Sequence, residues 1–413
     1  MYFLLYDKWK IPVPAIAPRL SSAQAASGLM TGISTPFFGV WLAWRGFSAG
    51  QITLILSTGL VLRILAGPVT GIIADARNDR RAVMLYLYWA IAIGYGVLSL
   101  SGMLDIAAST AIAVLVASGV VVPLLESVSI RLAEQNGHHY GKIRLWASAA
   151  FILANVLGGA FVWRLGPGMA APLLGLSALF CVISTLRLPA PVGLPPDDSF
   201  YHGLKRTCRE TGELLRSGPF LLLLLTGSLA QGSHAFYYNF GGLHWHELGY
   251  SGLLIGMIWP LGVFAEITIL RFAHRIITVL GPAQLLFWGG ATCVLRWTVL
   301  AFDPPLTVVI AVQFLHGITF AFSHLGAMFF IQRAIPARLS ATAQSLYFVS
   351  YSGLMLGVAT YVSGMIYAAH GGQAYFLMSA MGGAAMASAL VLNRVWQGGR
   401  LIATEVADPV AAN

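Results

Sequence analysis

Six ionisable side chains lie inside segments that are otherwise apolar enough to cross a membrane. They are Arg63, Glu126, Glu266, Arg296, His316 and His324. A charge inside a bilayer is costly, so it persists mainly where it pairs with a partner or lines a pathway. In such places carboxylates and histidines can take up and release protons, and a guanidinium can bind a carboxylate. These residues are therefore candidate functional groups.

The composition places these residues in an integral membrane protein. Of the 413 residues, 57% are hydrophobic and 9% are charged, and the mean hydropathy is +0.76. A soluble domain of this length needs far more surface charge. The net charge of +9 comes mostly from 20 of the 24 Lys and Arg residues, which fall at the two ends of the chain and in alternate loops. This asymmetry predicts that both termini are cytoplasmic, and it argues against a nucleic-acid partner.

The apolar segments predict an all-α membrane protein with twelve transmembrane helices, at about 20 residues per span. The predicted spans are residues 20–44, 50–74, 82–101, 106–131, 143–164, 169–187, 219–245, 251–275, 281–301, 305–332, 339–368 and 374–394. One long proline-rich break, residues 189–218, divides the spans six and six. This layout predicts two pseudo-symmetric six-helix bundles, residues 1–188 and 219–413, joined by a cytoplasmic linker.

The sequence carries no motif for ATP hydrolysis, zinc-dependent proteolysis or a nucleophilic serine. The three cysteines, Cys181, Cys208 and Cys293, show neither paired nor metal-ligand spacing. We therefore expect a protein that is not an enzyme and that needs no metal and no cofactor.

The stretch between the second and third predicted spans carries a family resemblance. It reads GPVTGIIADARNDRR over residues 67–81, and it resembles the signature loop of the major facilitator superfamily, with a Gly, an Asp and closely spaced basic residues. The resemblance implies the major facilitator fold and a gating role for Gly71, Asp75, Arg77 and Arg81. Physically, Gly71 allows close helix contact, and Asp75 can cap the next helix or pair with Arg77 or Arg81.

Further motifs resemble the branch of this superfamily that holds phenylpropionate-type transporters, which is related to lactose-permease-like sugar/proton symporters. The motifs are PLLE at 123–126, YGKIRLW at 140–146, QGSHAFYY at 231–238, WPLGVFAE at 259–266 and LHGITFAFSH at 315–324. In the sugar symporters, two Glu and one Arg serve substrate binding, and an Arg, a His and a third Glu serve proton coupling. The matching places here hold Glu126, Arg144, Glu266, Arg296 and His316.

One position departs from the sugar symporters and changes the expected proton step. The third Glu of those proteins has no counterpart, because Thr319 stands three residues after His316. The resemblance therefore implies a different proton route, with Glu266, Glu126 or His324 as substitutes. The predicted proton-coupling set is Glu126, Glu266, Arg296, His316 and His324.

Several polar and aromatic residues are candidates for substrate binding. Hydrogen-bonding and aromatic side chains cluster on the seventh predicted span, at His234, Tyr237, Tyr238 and Asn239, and suit a ring-bearing ligand. Arg63, on the second span, can hold a carboxylate bidentately. Arg144 follows Glu126 on the next helix across a polar loop, so the two side chains can approach each other.

Together these features predict a monomeric proton symporter of a bacterial-type inner membrane that works by alternating access. Its partners are expected to be protons, the lipid bilayer and a small organic solute. The resemblance implies import of an aromatic or other monocarboxylate. The alternatives are a proton symporter for a sugar or nucleoside, and an exporter of amphipathic compounds.

Overall fold

The computed structural model describes residues 16–76, 79–138, 140–189, 209 and 211–401, which are predominantly helical and contain no β-strand. The first helices are α1 (Ile16–Trp44), α2 (Ala49–Ala76), α3 (Arg80–Leu100), α4 (Leu104–Gln135), α5 (Tyr140–Leu165) and α6 (Ala170–Leu186). The next are α7 (Gly218–Gly232), α8 (Ala235–Glu247), α9 (Gly252–Arg271), α10 (Ala273–Val279), α11 (Pro282–Leu300) and α12 (Leu306–Gln313). The last are α13 (Leu315–Gly317), α14 (Ser323–Ala334), α15 (Ala337–Phe348), α16 (Leu356–His370) and α17 (Tyr375–Val395). Two π-helical segments, Ile318–Phe322 and Val349–Met355, connect α13 to α14 and α15 to α16.

Each predicted span coincides with a helical stretch of the structure. By length and composition, eight stretches of the described residues can cross a membrane, and the last of them, Thr342–Val395, includes the turn at Gly371. An all-α membrane protein is therefore confirmed, whereas the number of twelve crossings stays a prediction. The predicted linker lies largely outside the described residues, so the domain boundaries also stay a prediction.

Four spans that were predicted as continuous helices are interrupted, and one of them, 251–275, breaks at Phe272 between α9 and α10. The chain breaks between α7 and α8 at a Gly-Ser pair, a common site of helix kinks. The hydroxyl of Ser233 donates to the carbonyl of Ala230 at 2.7 Å and accepts the indole N–H of Trp297 at 3.1 Å, which fixes the break. The other two spans contain the π-helical segments, a local widening that often occurs at functional sites.

Glycines allow the helices to pack backbone to backbone within two groups, α1–α6 (the amino-terminal group) and α7–α17 (the carboxyl-terminal group). A Cβ added at Gly32 of α1 would lie 2.6 Å from the carbonyl oxygen of Phe151 on α5. In the other group, a Cβ added at Gly290 of α11 would lie 2.9 Å from the carbonyl oxygen of Gly382 on α17. Such close approach is typical of helix interfaces in membranes. The hydrophobic effect does not drive helices together in lipid, and small residues let them associate through close van der Waals packing.

The two groups meet through α1 with α8, α5 with α9 and α2 with α16. The tightest contacts lie at one end of these helices. A Cβ added at Gly242, Gly256 or Gly364 would overlap Pro36, Asn155 or Thr53 of the amino-terminal group. These positions lie near the end of α1, α5, α8 and α16 and near the start of α2 and α9, and all six ends fall on the same side of the molecule. On that side the two groups are in close contact, through the backbone of Pro36 and Asn155 and through the side chain of Thr53.

Substituting Gly242→Ala is expected to prevent full closure of this side. The added methyl group would overlap the carbonyl oxygen of Pro36, and overpacking of this kind costs about 1–3 kcal/mol. The predicted cytoplasmic termini place this side at the cell exterior. A cysteine introduced at Thr35 of α1, which lines a cavity between the two groups, should then react faster with a membrane-impermeant maleimide added to intact cells.

The matched control is Gly96→Ala on α3, because a Cβ added there meets no heavy atom within 4 Å. Equal labelling rates in the Gly242→Ala and Gly96→Ala proteins would show that the Gly242 contact does not close this side.

Candidate functional site

A cavity of about 730 Å³ separates the two helix groups. Its wall is built by α1, α4 and α5 on one side and by α8, α9 and the helical stretch from α13 to α14 on the other. Seven of the residues predicted from the sequence line it: Glu126, Arg144, Tyr237, Tyr238, Glu266, His316 and His324. The fold therefore brings together charged and aromatic side chains that lie up to about two hundred residues apart in the chain.

On the amino-terminal side of the cavity, Glu126 of α4 and Arg144 of α5 form an ion pair. The Oε1 atom of Glu126 lies 2.9 Å from Nε of Arg144, and the side chains are 25% and 44% exposed along the cavity. A partly hydrated pair of this kind can exchange partners with an incoming ligand at lower cost than a fully buried one.

Two further residues hold Glu126, and the sequence reasoning did not select either of them. The hydroxyl of Tyr140 donates to Oε2 of Glu126, and the amide of Gln24 donates to the same oxygen at 3.3 Å. The signal for Tyr140 was its spacing, because residues 140 and 144 are four apart and share one face of a helix. Gln24 is a single amide in an apolar helix, and its partner is visible only in the structure.

On the opposite wall, Glu266 projects from α9 into the cavity. Within the described part of the chain it makes no ion pair and no hydrogen bond, and Arg144 is the charged group that acts on it most directly. Tyr238 lies close enough to interact electrostatically with the same carboxylate. Glu266 therefore differs from Glu126, because the protein leaves it without a fixed partner.

Behind the carboxyl-terminal wall lies Arg296, a guanidinium with no exposed surface. It donates to Nδ1 of His316 at 3.0 Å and to Oε1 of Gln313 at 2.9 Å. The rings of Tyr237 and Trp297 lie 4.6 and 4.3 Å from its Cζ atom, which is cation–π distance. A guanidinium has donors only, so Nδ1 of His316 is the acceptor, and its ring carries the proton on Nε2.

The aromatic wall of the cavity is formed by rings that contact one another. The rings of Tyr237 and Trp259 are 4.2 Å apart, and those of Tyr238 and Trp259 are 6.1 Å apart and nearly parallel. Beyond them, Phe320 of the first π-helical segment stacks on His324 at 6.2 Å. This wall offers flat apolar surfaces within reach of the charged groups.

Three residues predicted to bind substrate lie away from the cavity wall. His234 is fully buried and contacts the hydroxyl of Thr319 at 3.0 Å, and Asn239 donates to the hydroxyl of Thr360 at 3.0 Å. Arg63 donates to the carbonyl of Ser352 in the second π-helical segment. These side chains connect neighbouring helices, and Thr319, which occupies the place of the missing acid, serves as the partner of His234.

Of the predicted gating residues, Gly71 and Asp75 lie near the end of α2, and Arg81 lies near the start of α3. Arg81 donates from Nε to the carbonyl of Thr185 at 3.1 Å and from a terminal nitrogen to that of Leu186 at 2.7 Å. It thereby binds the carboxyl end of α6, where a cation is favourable. A Cβ added at Gly71 meets no heavy atom within 4 Å, so the predicted close contact is not made in this conformation. Arg77 and the side chain of Asp75 lie outside the described residues.

Comparison with known proteins agrees with this architecture. Residues 29–378 match the MFS_1 like family, a family of the major facilitator type. The chain is 29% identical over 370 residues to the "Probable 3-phenylpropionic acid transporter" of Escherichia coli (strain K12), covering 84% of this chain and 90% of the relative. It is 27% identical over 338 residues to the maltose permease of Geobacillus stearothermophilus, covering 81% and 84%.

Solved structures show the same fold at lower sequence identity. The crystal structure of the nucleoside transporter NupG superposes with a TM-score of 0.77 at 16% identity, covering 93% of this chain and 99% of that chain. A bacterial homologue of the human lysosomal transporter Spinster superposes with a TM-score of 0.73 at 12% identity, covering 94% and 98%. With the family match over most of its length, the chain belongs to the MFS_1 like family and is an integral membrane transporter, not an enzyme.

Proposed function

We propose that this protein is a proton symporter that imports a small monocarboxylate, with an aromatic acid as the favoured substrate. The observation that carries the proposal is the charge arrangement in the cavity. A guanidinium paired with one carboxylate faces a second carboxylate that has no partner among the described residues. This arrangement can bind an anion and a proton together.

The proposed coupling between substrate binding and proton binding follows from the number of charges on the cavity wall. When Glu266 is ionised, the cavity wall carries two carboxylates and one guanidinium, Arg144. A substrate carboxylate adds another negative charge, and like charges about 8 Å apart repel by roughly 2 kcal/mol at an effective dielectric constant of about 20. A proton on Glu266 removes this repulsion. Substrate and proton therefore favour each other's binding, which is the condition for symport.

The substrate class is supported by the aromatic wall and by one relative. Tyr238 is partly exposed on the cavity wall, and the buried rings of Tyr237 and Trp259 pack against it, which suits an aromatic substrate. The Escherichia coli relative that is 29% identical is described as a probable 3-phenylpropionic acid transporter. In this proposal Arg144 binds the carboxylate, and Tyr237 and Tyr238 contact the ring.

Among the groups predicted to carry the proton, the contacts favour Glu266. Glu126 is occupied by Arg144, Tyr140 and Gln24, and Nδ1 of His316 accepts a hydrogen bond from Arg296. A proton on either group would have to displace one of these donors. His324, which also lines the cavity, is the second candidate for the proton route.

The remaining predicted residues have supporting roles in this proposal. Arg296 holds His316 in one tautomer, while His234, Asn239 and Arg63 keep neighbouring helices in register. In the proposed topology both termini are cytoplasmic and the cavity opens to the cytoplasm. Gly71, Asp75, Arg77 and Arg81 then gate that side during transport.

A second candidate function is proton symport of a neutral sugar. It is favoured by the 27% identity to a maltose permease and by the hydroxyl and amide groups of Gln24, Thr31 and Ser148 on the cavity wall. The hydroxyl oxygens of a sugar can also accept hydrogen bonds from Arg144, so the two candidates differ in whether a carboxylate on the substrate is required.

Replacing Glu266 by Gln is expected to abolish uptake of 3-phenylpropionate driven by a pH gradient in proteoliposomes. The amide cannot exchange a proton, but it leaves the shape of the cavity unchanged, so counterflow exchange of labelled for unlabelled substrate should persist. Gln344→Glu, at an exposed position on α15, is the matched control and should keep gradient-driven uptake.

Accumulation that still follows the pH gradient in the Glu266→Gln protein would contradict a proton role for this residue. Transport that depends on a gradient of the opposite sign in the parent protein would indicate an exporter instead.

Thermal unfolding of the purified protein should separate the two candidate substrates. A ligand that binds only the native state stabilises it by about 2.7 kcal/mol at a concentration a hundred times its Kd. We expect 3-phenylpropionate to raise the unfolding temperature, while maltose and the uncharged 3-phenylpropanamide have a much smaller effect. Stabilisation by maltose alone would favour the sugar symporter.

A further inference from the structure

The two oxygens of the Glu126 carboxylate have different partners. Its Oε1 atom pairs with Nε of Arg144 at 2.9 Å, while Oε2 receives the hydroxyl of Tyr140 and the amide of Gln24. Gln24 is itself buried and held by the hydroxyl of Ser129 at 3.1 Å. The second oxygen of the Glu126 carboxylate is thus held by groups other than Arg144.

An arginine and a carboxylate that are free to choose their geometry tend to form two parallel hydrogen bonds. Glu126 is prevented from doing so, because Tyr140 and Gln24 already occupy its second oxygen. Arg144 has five N–H donors, and its side chain is 44% exposed along the cavity. Donors therefore remain on the guanidinium for a second carboxylate.

We infer that Tyr140 is a positioning residue that makes Arg144 selective for a substrate carboxylate. Because the Tyr140 hydroxyl holds Oε2 of Glu126, only Oε1 is available to the guanidinium of Arg144. Without the hydroxyl, Glu126 turns both oxygens towards Arg144 and competes with the substrate for the same donors. The inference rests on the proposed binding of a monocarboxylate at Arg144, and it adds the group that keeps this site available.

The position of Tyr140 supports this role. It is the first residue of α5, and Arg144 lies one turn later on the same helix, so both side chains reach the carboxylate that α4 presents. Gln24 approaches from α1. All three contacts lie within the amino-terminal group, so the site moves as a unit relative to Glu266 on the other wall.

The test is Tyr140→Phe, which removes only the hydroxyl. In proteoliposomes the KM for 3-phenylpropionate should rise about tenfold, the size expected for a lost hydrogen bond to a charged group, with little change in the maximal rate. Affinity for 3-phenylpropanamide, measured by its competition with the acid, should change less than about twofold. Tyr361→Phe, at an exposed position on α16, is the matched control and should behave as the parent protein.

A double-mutant cycle identifies the route of the effect. If Tyr140 acts through Glu126, adding Tyr140→Phe to Glu126→Gln should cause no further rise in KM, because coupled residues are not additive. The unfolding temperature of each ligand-free variant shows whether the fold is intact. If Tyr140→Phe does not fold, Gln24→Leu serves as the second variant and should give the same loss of preference for the acid over the amide.

The outcomes separate this inference from the proposed function. An unchanged KM in Tyr140→Phe, or equal losses for the acid and the amide, overturns the positioning role while leaving the symporter proposal intact. Full additivity with Glu126→Gln overturns the route through Glu126. A parent protein that binds no monocarboxylate overturns both proposals.

Discussion

The cost of removing an ionised side chain from water governs the centre of this protein. A buried ion is stable only where partners replace its hydration, and the charges in the described residues meet this requirement in different ways. Arg296 uses two neutral acceptors and two aromatic faces, and Glu126 uses a guanidinium, a hydroxyl and an amide. Glu266 has the open cavity instead of a fixed partner. The least compensated charge is therefore the one best suited to change its state during transport.

Backbone packing decides where that cavity can exist. Glycines at 242 and 256 let the two helix groups touch backbone to backbone on one side, and Gly364 leaves room there for the side chain of Thr53. The contact is so tight that a methyl group added at any of these glycines would overlap its neighbour. Because the groups are in contact at one end, the space between them opens towards the other end, and it contains both the Glu126–Arg144 pair and Glu266. The same packing therefore closes one side of the protein and leaves the cavity between the two helix groups.

The two walls of the cavity divide the chemistry between them. The amino-terminal wall holds a paired cation with donors to spare, and the carboxyl-terminal wall holds the unpaired acid and the aromatic surface. A substrate that bridges the walls contacts both groups of helices at once. Its binding is then coupled to their relative position, as alternating access requires.

The apolar segments of the chain determined by themselves that this is an all-α membrane protein, where its helices lie and how few charges they contain. About 20 apolar residues suffice for a span, whichever helices pack against it. The apolar segments could not predict the break at Ser233 or the two π-helical segments, which depend on side-chain bonds to other helices such as that from Trp297.

The hydrogen-bond partner of each polar side chain was also decided only by the tertiary structure. Residues on one helix face are equivalent in sequence until another helix packs against them, and so His234, Asn239 and Arg63 connect helices while Tyr140 and Gln24 hold Glu126. The sequence determined which charged residues lie within the membrane spans, because the free-energy cost of burying a charge depends on that residue and the apolar segment around it. Only the three-dimensional packing decided which of them are compensated, because compensation needs atoms from distant parts of the chain within about 3 Å.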